Sequence, residues 1–115
     1  MSFVTISAKD MGRYLTMPDA VLIDLREPEE YARGHIPGAV NIPYDMLEDK
    51  KLCLMKGNLL ILYCERGNIS LQEARELDEQ GYRVVNVYGG IHAYRGKLSI
   101  DEDEKVIHND KDNIC

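Results

Sequence analysis

Leu59-Leu60-Ile61-Leu62-Tyr63, running straight into Cys64-Glu65-Arg66-Gly67-Asn68, is the strongest apolar run in the chain. A strand with one wet face alternates apolar and polar residues, whereas one covered on both faces does not. The run therefore reads as a central strand of a parallel sheet. Lys56-Gly57-Asn58 breaks the pattern before it, and the polar Glu65-Arg66-Gly67 ends it. Ala20-Val21-Leu22-Ile23 is built the same way and ends on Asp24, a polar residue at the C-terminal end of a strand. Phe3 to Ile6, Ala39 to Ile42 (closed by Pro43) and Val84 to Tyr88 supply three more strands.

Helical signals fill the intervals. Ser7 and Asp10 have capping-box spacing ahead of Met11, Tyr14 and Leu15. Pro28 suits the first turn of a short helix through Glu29, Glu30 and Tyr31, stopped by Gly34. Tyr44 to Leu52 carries Met46 and Leu47 at helical spacing. Ser70, paired with Glu73 as a capping box, opens a helix bearing Leu71, Ala74 and Leu77, with Gly81 at C′. Gly89-Gly90 turns the chain into a helical stub from Ile91 to Arg95. Strands alternating with helices predict an α/β fold: an open, mainly parallel five-stranded sheet with helices on both faces and right-handed crossovers.

The 115 residues suffice for one core, so one active site at most is expected. The division predicted is a domain over residues 1–98 and an acidic, flexible tail over 99–115. Asp101 to Asp112 holds six acids and two lysines, contributing -4 of the formal -6 and leaving -2 for the rest. This balance argues against nonspecific nucleic-acid binding, which needs a basic face. No apolar stretch is long enough to cross a bilayer, and Met1 to Asp10 has neither a basic leader nor an apolar core, so a cytoplasmic protein is expected. Cys53, Cys64 and Cys115 form no disulfide framework and no zinc pattern, which fits a reducing compartment and no metal. A monomer is expected.

Cys64 stands where α/β sheets bind ligands, at the C-terminal end of a strand and ahead of a helix N-terminus with its unpaired N–H groups. Gly67 and Asn68 are suited to left-handed backbone angles that curl a loop into an anion nest. What would such a nest do for a thiol? In general, lowering a thiol pKa from about 8.5 to about 6.5 raises the thiolate fraction at neutral pH about 25-fold. The same change weakens intrinsic nucleophilicity by roughly eightfold. The net gain of about threefold is small, so the nest matters more for holding the anion formed after attack. The alternative is a cysteine that is only a small buried hydrophobe. A polar glycine-containing loop and a capped helix directly after it favour a nucleophile.

Three segments then carry a family likeness. Asp24-Leu25-Arg26, Glu30-Tyr31 and Gly34-His35-Ile36-Pro37-Gly38-Ala39-Val40-Asn41-Ile42-Pro43 form the first. The second is Leu62-Tyr63-Cys64 through Gly67, Asn68 and Ser70, and the third is Val87-Tyr88-Gly89-Gly90-Ile91 through Tyr94. Over Phe3 to Tyr94 the chain resembles the rhodanese-like, or sulfurtransferase homology, domain. The resemblance implies a sulfurtransferase in which Cys64 takes a sulfane sulfur from thiosulfate or another donor, becomes a persulfide and passes it to cyanide or a thiol acceptor. It implies substrate binding by the loop Glu65, Arg66, Gly67, Asn68, Ile69 and Ser70, with no metal or organic cofactor. A protein persulfide partner is a further possibility, because Glu65 opposes an anionic donor while Arg66 favours one. Where family members often carry a basic residue or small hydroxyl, this chain has Ile69; where Trp is commoner, it has Tyr94.

Two other functions compete. A phosphatase of the same fold favours a longer loop with an arginine six residues after the cysteine to clamp phosphate, and that position is Ser70. A noncatalytic docking or regulatory module is the other rival, against which the retained cysteine and loop glycine argue. The remaining conspicuous residues have structural readings. Asp24 and Arg26 read as an ion pair or loop anchor, His35 as a ring bonded to backbone, His92 and His108 as solvent-exposed, and Cys53 as core packing. Cys115 is either an incidental thiol or one that resolves an oxidised Cys64, and Val106-Ile107 could dock on a partner.

Overall fold

The computed structural model describes residues 3–50, 54 and 56–100. Cys53, Val106-Ile107, His108 and Cys115 lie outside the described residues. Five strands form one sheet: β1 Val4–Ser7, β2 Ala20–Asp24, β3 Val40–Asn41, β4 Leu59–Tyr63 and β5 Arg83–Tyr88. Their order is β1-β5-β4-β2-β3, and every pairing between them is parallel. The helices are α1 Met11–Leu15, α2 Pro28–Arg33, α3 Leu47–Lys50 and α4 Asn68–Glu79, with single 3-10 turns at Ala8–Asp10, Tyr44–Met46 and Ile91–Ala93.

β4 lies at the centre, as its unbroken apolar run predicts, and all five of its residues are buried. The two-residue period of the strand assigns its side chains to opposite layers. Leu59, Ile61 and Tyr63 join Met11 of α1 and Tyr31 of α2 on one face. Leu60, Leu62 and Cys64 join Leu47 of α3 and Ala74 and Leu77 of α4 on the other. Each fully buried aliphatic side chain contributes about 1.5–3 kcal/mol, so β4 is the spine of both layers. Its parity also aims Cys64 at α4 and Tyr63 away from it.

Several helix ends match the sequence reading and others do not. Pro28 is at the first turn of α2, where Glu27 and Glu30 form a capping box. Gly81 takes φ +97 after α4, donating to Asp78 O at 3.0 Å while Tyr82 N–H donates to Leu77 O at 3.0 Å; these are the bonds that close a helix at a left-handed glycine. Ser7 does not cap: its hydroxyl bonds the Asp10 carboxylate at 3.1 Å, and the chain enters α1 through a 3-10 turn. Ser70 is not an N-cap either. α4 starts at Asn68 with Gly67 as N-cap, so Ser70 is its third helical residue. Asn68 has helical angles, and Gly67 alone in the loop has positive φ, at +102.

Two further features frame the end of the sheet that carries Cys64. His35 is fully buried; Nδ1 is 2.8 Å from Tyr31 O, and its ring stacks on that of Tyr31 at a centroid distance of 3.8 Å. Ser99 exchanges both backbone hydrogen bonds with His35, at 2.9 and 2.8 Å, so the described chain stays tied to the domain just beyond residue 98. No helix among the described residues is long and apolar enough to cross a membrane.

Candidate active site

Cys64 Sγ sits over the first turn of α4. It accepts N–H bonds from Gly67 at 3.1 Å and Ser70 at 3.3 Å, and the thiol donates to Ser70 Oγ at 3.6 Å. The Ser70 hydroxyl donates in turn to Gly67 O at 3.2 Å. A helix leaves its first N–H groups without intrahelical partners, and an N-cap side chain usually accepts the bond from the third helical residue. Here a cysteine sulfur four positions upstream of the helix does that work. α4 therefore starts two residues before the predicted Ser70: the capping atom belongs to Cys64, and Ser70 is the residue capped.

The loop is held shut by the turn after β5. Ile91 N–H donates to Cys64 O at 2.9 Å and His92 N–H to Glu65 O at 3.0 Å. Gly90 lies so close that a Cβ there would fall 2.3 Å from Cys64 O, and one on Gly67 would fall 2.8 Å from Gly89 N. The six predicted loop residues therefore separate by position. Gly67 and Ser70 face the sulfur. Ile69 is half-buried against the layer under α4, while Arg66 and Asn68 are exposed. The Glu65 carboxylate is 3.7 Å from the Arg26 guanidinium. Gly90, Ile91 and His92 brace the loop through backbone, and only the Gly89-Gly90 pair after an apolar strand hinted at this in the sequence.

Beneath the loop lies a buried polar cluster. Asp24, fully buried, accepts from Arg26 Nε at 3.1 Å and Nη2 at 2.9 Å, from Arg26 N–H at 2.9 Å and from the Tyr63 hydroxyl at 2.7 Å. Arg26 Nη2 also donates to Gly34 O at 2.6 Å, and Tyr63 Oη accepts from Ile36 N–H at 3.0 Å. Burial, and next the Asp24 charge, push the Tyr63 phenol well above its usual range, so it remains an O–H donor. Burial opposes charge on Arg26, but the hydrogen bonds and charge of Asp24 outweigh it and raise its pKa. Asp24 and Arg26 thus form the buried ion pair the sequence reading expected, tied by the Tyr63 hydroxyl to the residue before Cys64.

With this geometry in view, the comparison with known proteins is specific: the model of the rhodanese-like domain matches residues 7–97. The chain belongs to the rhodanese-like domain family. Its relatives include a sulfurtransferase of Allochromatium vinosum, 38% identical over 77 residues that cover 66% of this chain and 72% of that one. The thiosulfate:glutathione sulfurtransferase of Saccharomyces cerevisiae is 33% identical over 99 residues, covering 73% of this chain and 71% of the relative. The crystal structure of a rhodanese-like domain protein from Staphylococcus aureus superposes with a TM-score of 0.77 at 30% identity, covering 85% of this chain and 98% of that one.

In a rhodanese-like domain with this loop, the sulfur contacts divide between backbone and one side chain, and they can be weighed separately. Ser70→Ala removes the hydroxyl but neither N–H donor, and Gly67 O keeps its bond from Leu71 N–H at 3.2 Å. A neutral hydrogen bond is worth about 0.5–1.5 kcal/mol net, so sulfur loading should slow by roughly two- to tenfold, with a similarly small loss of stability. Stopped-flow loading and urea denaturation measure the two. A hundredfold slowing would mean that the hydroxyl, not the amides, dominates.

Proposed function

We propose that the chain is a sulfurtransferase that carries a sulfane sulfur on Cys64 from a small donor such as thiosulfate to a thiol or cyanide acceptor. The observation carrying this reading is the pair of backbone N–H groups, from Gly67 and Ser70, converging on Cys64 Sγ at the N-terminus of a 12-residue helix. The sulfurtransferase relatives support it independently.

The transfer has two steps. The Cys64 thiolate attacks the outer sulfur of thiosulfate, the sulfur–sulfur bond of the donor breaks, and sulfite leaves with the bonding electron pair. The Cys64 persulfide anion remains, with fixed N–H dipoles and the positive end of α4 available to stabilise it. An acceptor thiolate, or cyanide, then attacks the terminal sulfur and leaves with it, releasing Cys64 as thiolate. The sulfane sulfur moves without net oxidation, so the steps require no electron carrier.

Incubation with thiosulfate is expected to raise the intact mass by one sulfur atom, and cyanide is expected to remove that atom as thiocyanate; Cys64→Ala should do neither. Repeating the assay with a persulfidated protein donor separates a narrow donor preference from inactivity. No Cys64-dependent adduct with either donor would refute the proposal and leave a docking module, and hydrolysis of phosphate esters would favour the phosphatase.

A further inference from the structure

A groove of about 450 Å3 runs over the α1 side of the sheet, away from the Cys64 thiol. Met11, Leu15, Ile36 and Tyr94 give it an apolar floor, and its two charged lining residues, Lys9 and Arg95, are both cations. Neither makes an ion pair among the described residues; Arg95 Nη1 donates only to the backbone carbonyls of His92, at 3.2 Å, and Tyr94, at 3.5 Å. Arg13, within α1, and Lys97, next in sequence to the groove wall, are exposed as well. Two unpaired cations over an apolar floor call for a ligand that is acidic and carries aliphatic side chains.

We infer that this groove binds the acidic segment Asp101 to Asp112 of the same chain, with Val106 and Ile107 on its floor and the flanking carboxylates at Lys9 and Arg95. That segment has a net charge of -4, and its two aliphatic residues are adjacent, with Asp101-Glu102-Asp103-Glu104 before them and Asp110 and Asp112 after. Chain length permits the return. Gly96 lines the groove, and four residues, at about 3.3–3.6 Å each, place Ile100 within about 14 Å of it. Val106 is six residues further on, a reach of about 20 Å at the same rise. A contiguous acidic block also fits a basic rim in a domain whose remaining net charge is only -2.

The position of the groove gives the contact a consequence. Its wall includes Ala93, Tyr94 and Arg95, directly after Ile91 and His92, whose N–H groups brace the Cys64 loop. Occupancy would therefore restrain the segment that restrains the loop.

Amide resonances of the full chain provide the test. In Val106→Asp/Ile107→Asp, the signals of Lys9 to Leu15 and Ala93 to Gly96 should shift while those around Asp19 and Gly57, at the other end of the sheet, stay fixed. Lys9→Glu/Arg95→Glu should displace the groove signals similarly, and adding lysines at Asp101, Glu102, Asp103 and Glu104 should restore them. High salt should weaken the contact in the wild type and move the signals in the same direction. Groove signals indifferent to the Val106 and Ile107 substitutions would overturn the inference. So would shifts that depend on protein concentration, which would identify a second copy as the occupant, or a charge swap without restoration.

Discussion

Gly90→Ala is expected to destabilise the domain by on the order of 4 kcal/mol and to abolish sulfur loading in whatever fraction remains folded. Gly90 has φ +58 and ψ -156, a region essentially reserved for glycine, so a side chain there costs about 1–3 kcal/mol in strain alone. The larger problem is space. The added Cβ would fall 2.3 Å from Cys64 O and 2.6 Å from Glu65 O, both backbone atoms that cannot swing aside as a side-chain tip would. Relieving the clash means moving the Cys64 loop away from the turn, which breaks the bonds from Ile91 N–H and His92 N–H to those two carbonyls. Overpacking of this kind adds about 1–3 kcal/mol, and the total is a large fraction of the ~5–15 kcal/mol that stabilises a typical domain. Gly38→Ala is the matched control: φ is +89 there as well, but nothing lies within 4 Å of the added Cβ, so the strain appears without the clash. It should cost about 1–2 kcal/mol and leave loading intact. Denaturation midpoints that coincide for the two variants would mean that Gly90 matters for its angles only.

The same turn shows where the sequence was transparent and where it was opaque. β4 and β2 were legible because a parallel strand covered on both faces is apolar along nearly its whole length, a property of the strand's own residues, as in Leu59–Tyr63 and Ala20–Asp24, whereas the edge strands β1 and β3, with Thr5, Ser7 and Asn41, showed only as short β-rich runs. The Gly81 cap was legible for the same reason: the residue that takes the left-handed angles is the residue that signals them. The start of α4 was not, because the rule for caps looks for an oxygen next to the helix, and here a sulfur from the end of β4 accepts the Ser70 N–H. The approach of Glu65 to the Arg26 guanidinium, 3.7 Å away, was not legible either, because it joins the loop after β4 to the end of β2, far apart in sequence. That contact is weak, since the Glu65 side chain is 51% exposed and Arg26 is already bonded to Asp24. The likeness to a family located the candidate site more sharply than any local rule, since its three segments meet at the C-terminal end of the sheet.

Asp24→Ala is expected to cost about 3–5 kcal/mol, the usual result of stranding one partner of a buried ion pair. Arg26 is only 9% exposed, and without the carboxylate its charge would keep Gly34 O and the half-exposed Glu65 as partners. The Tyr63 hydroxyl and the Arg26 N–H would lose their acceptor too, so the defect extends to the residue before Cys64. Asp24→Leu/Arg26→Met tests whether it is charge or packing that is lost. If the penalty of the single variant is an uncompensated guanidinium, the double variant should be more stable than the sum of its two singles by about 1–3 kcal/mol, because it leaves no charge to strand. If the pair instead stabilises the fold through its full set of bonds, the two costs should add. Sulfur loading divides the possibilities once more. Tyr63 keeps its bond from Ile36 N–H in every variant, so a double variant that folds but loads sulfur poorly would assign the pair to aligning Cys64 over α4 as well as to holding the sheet end together.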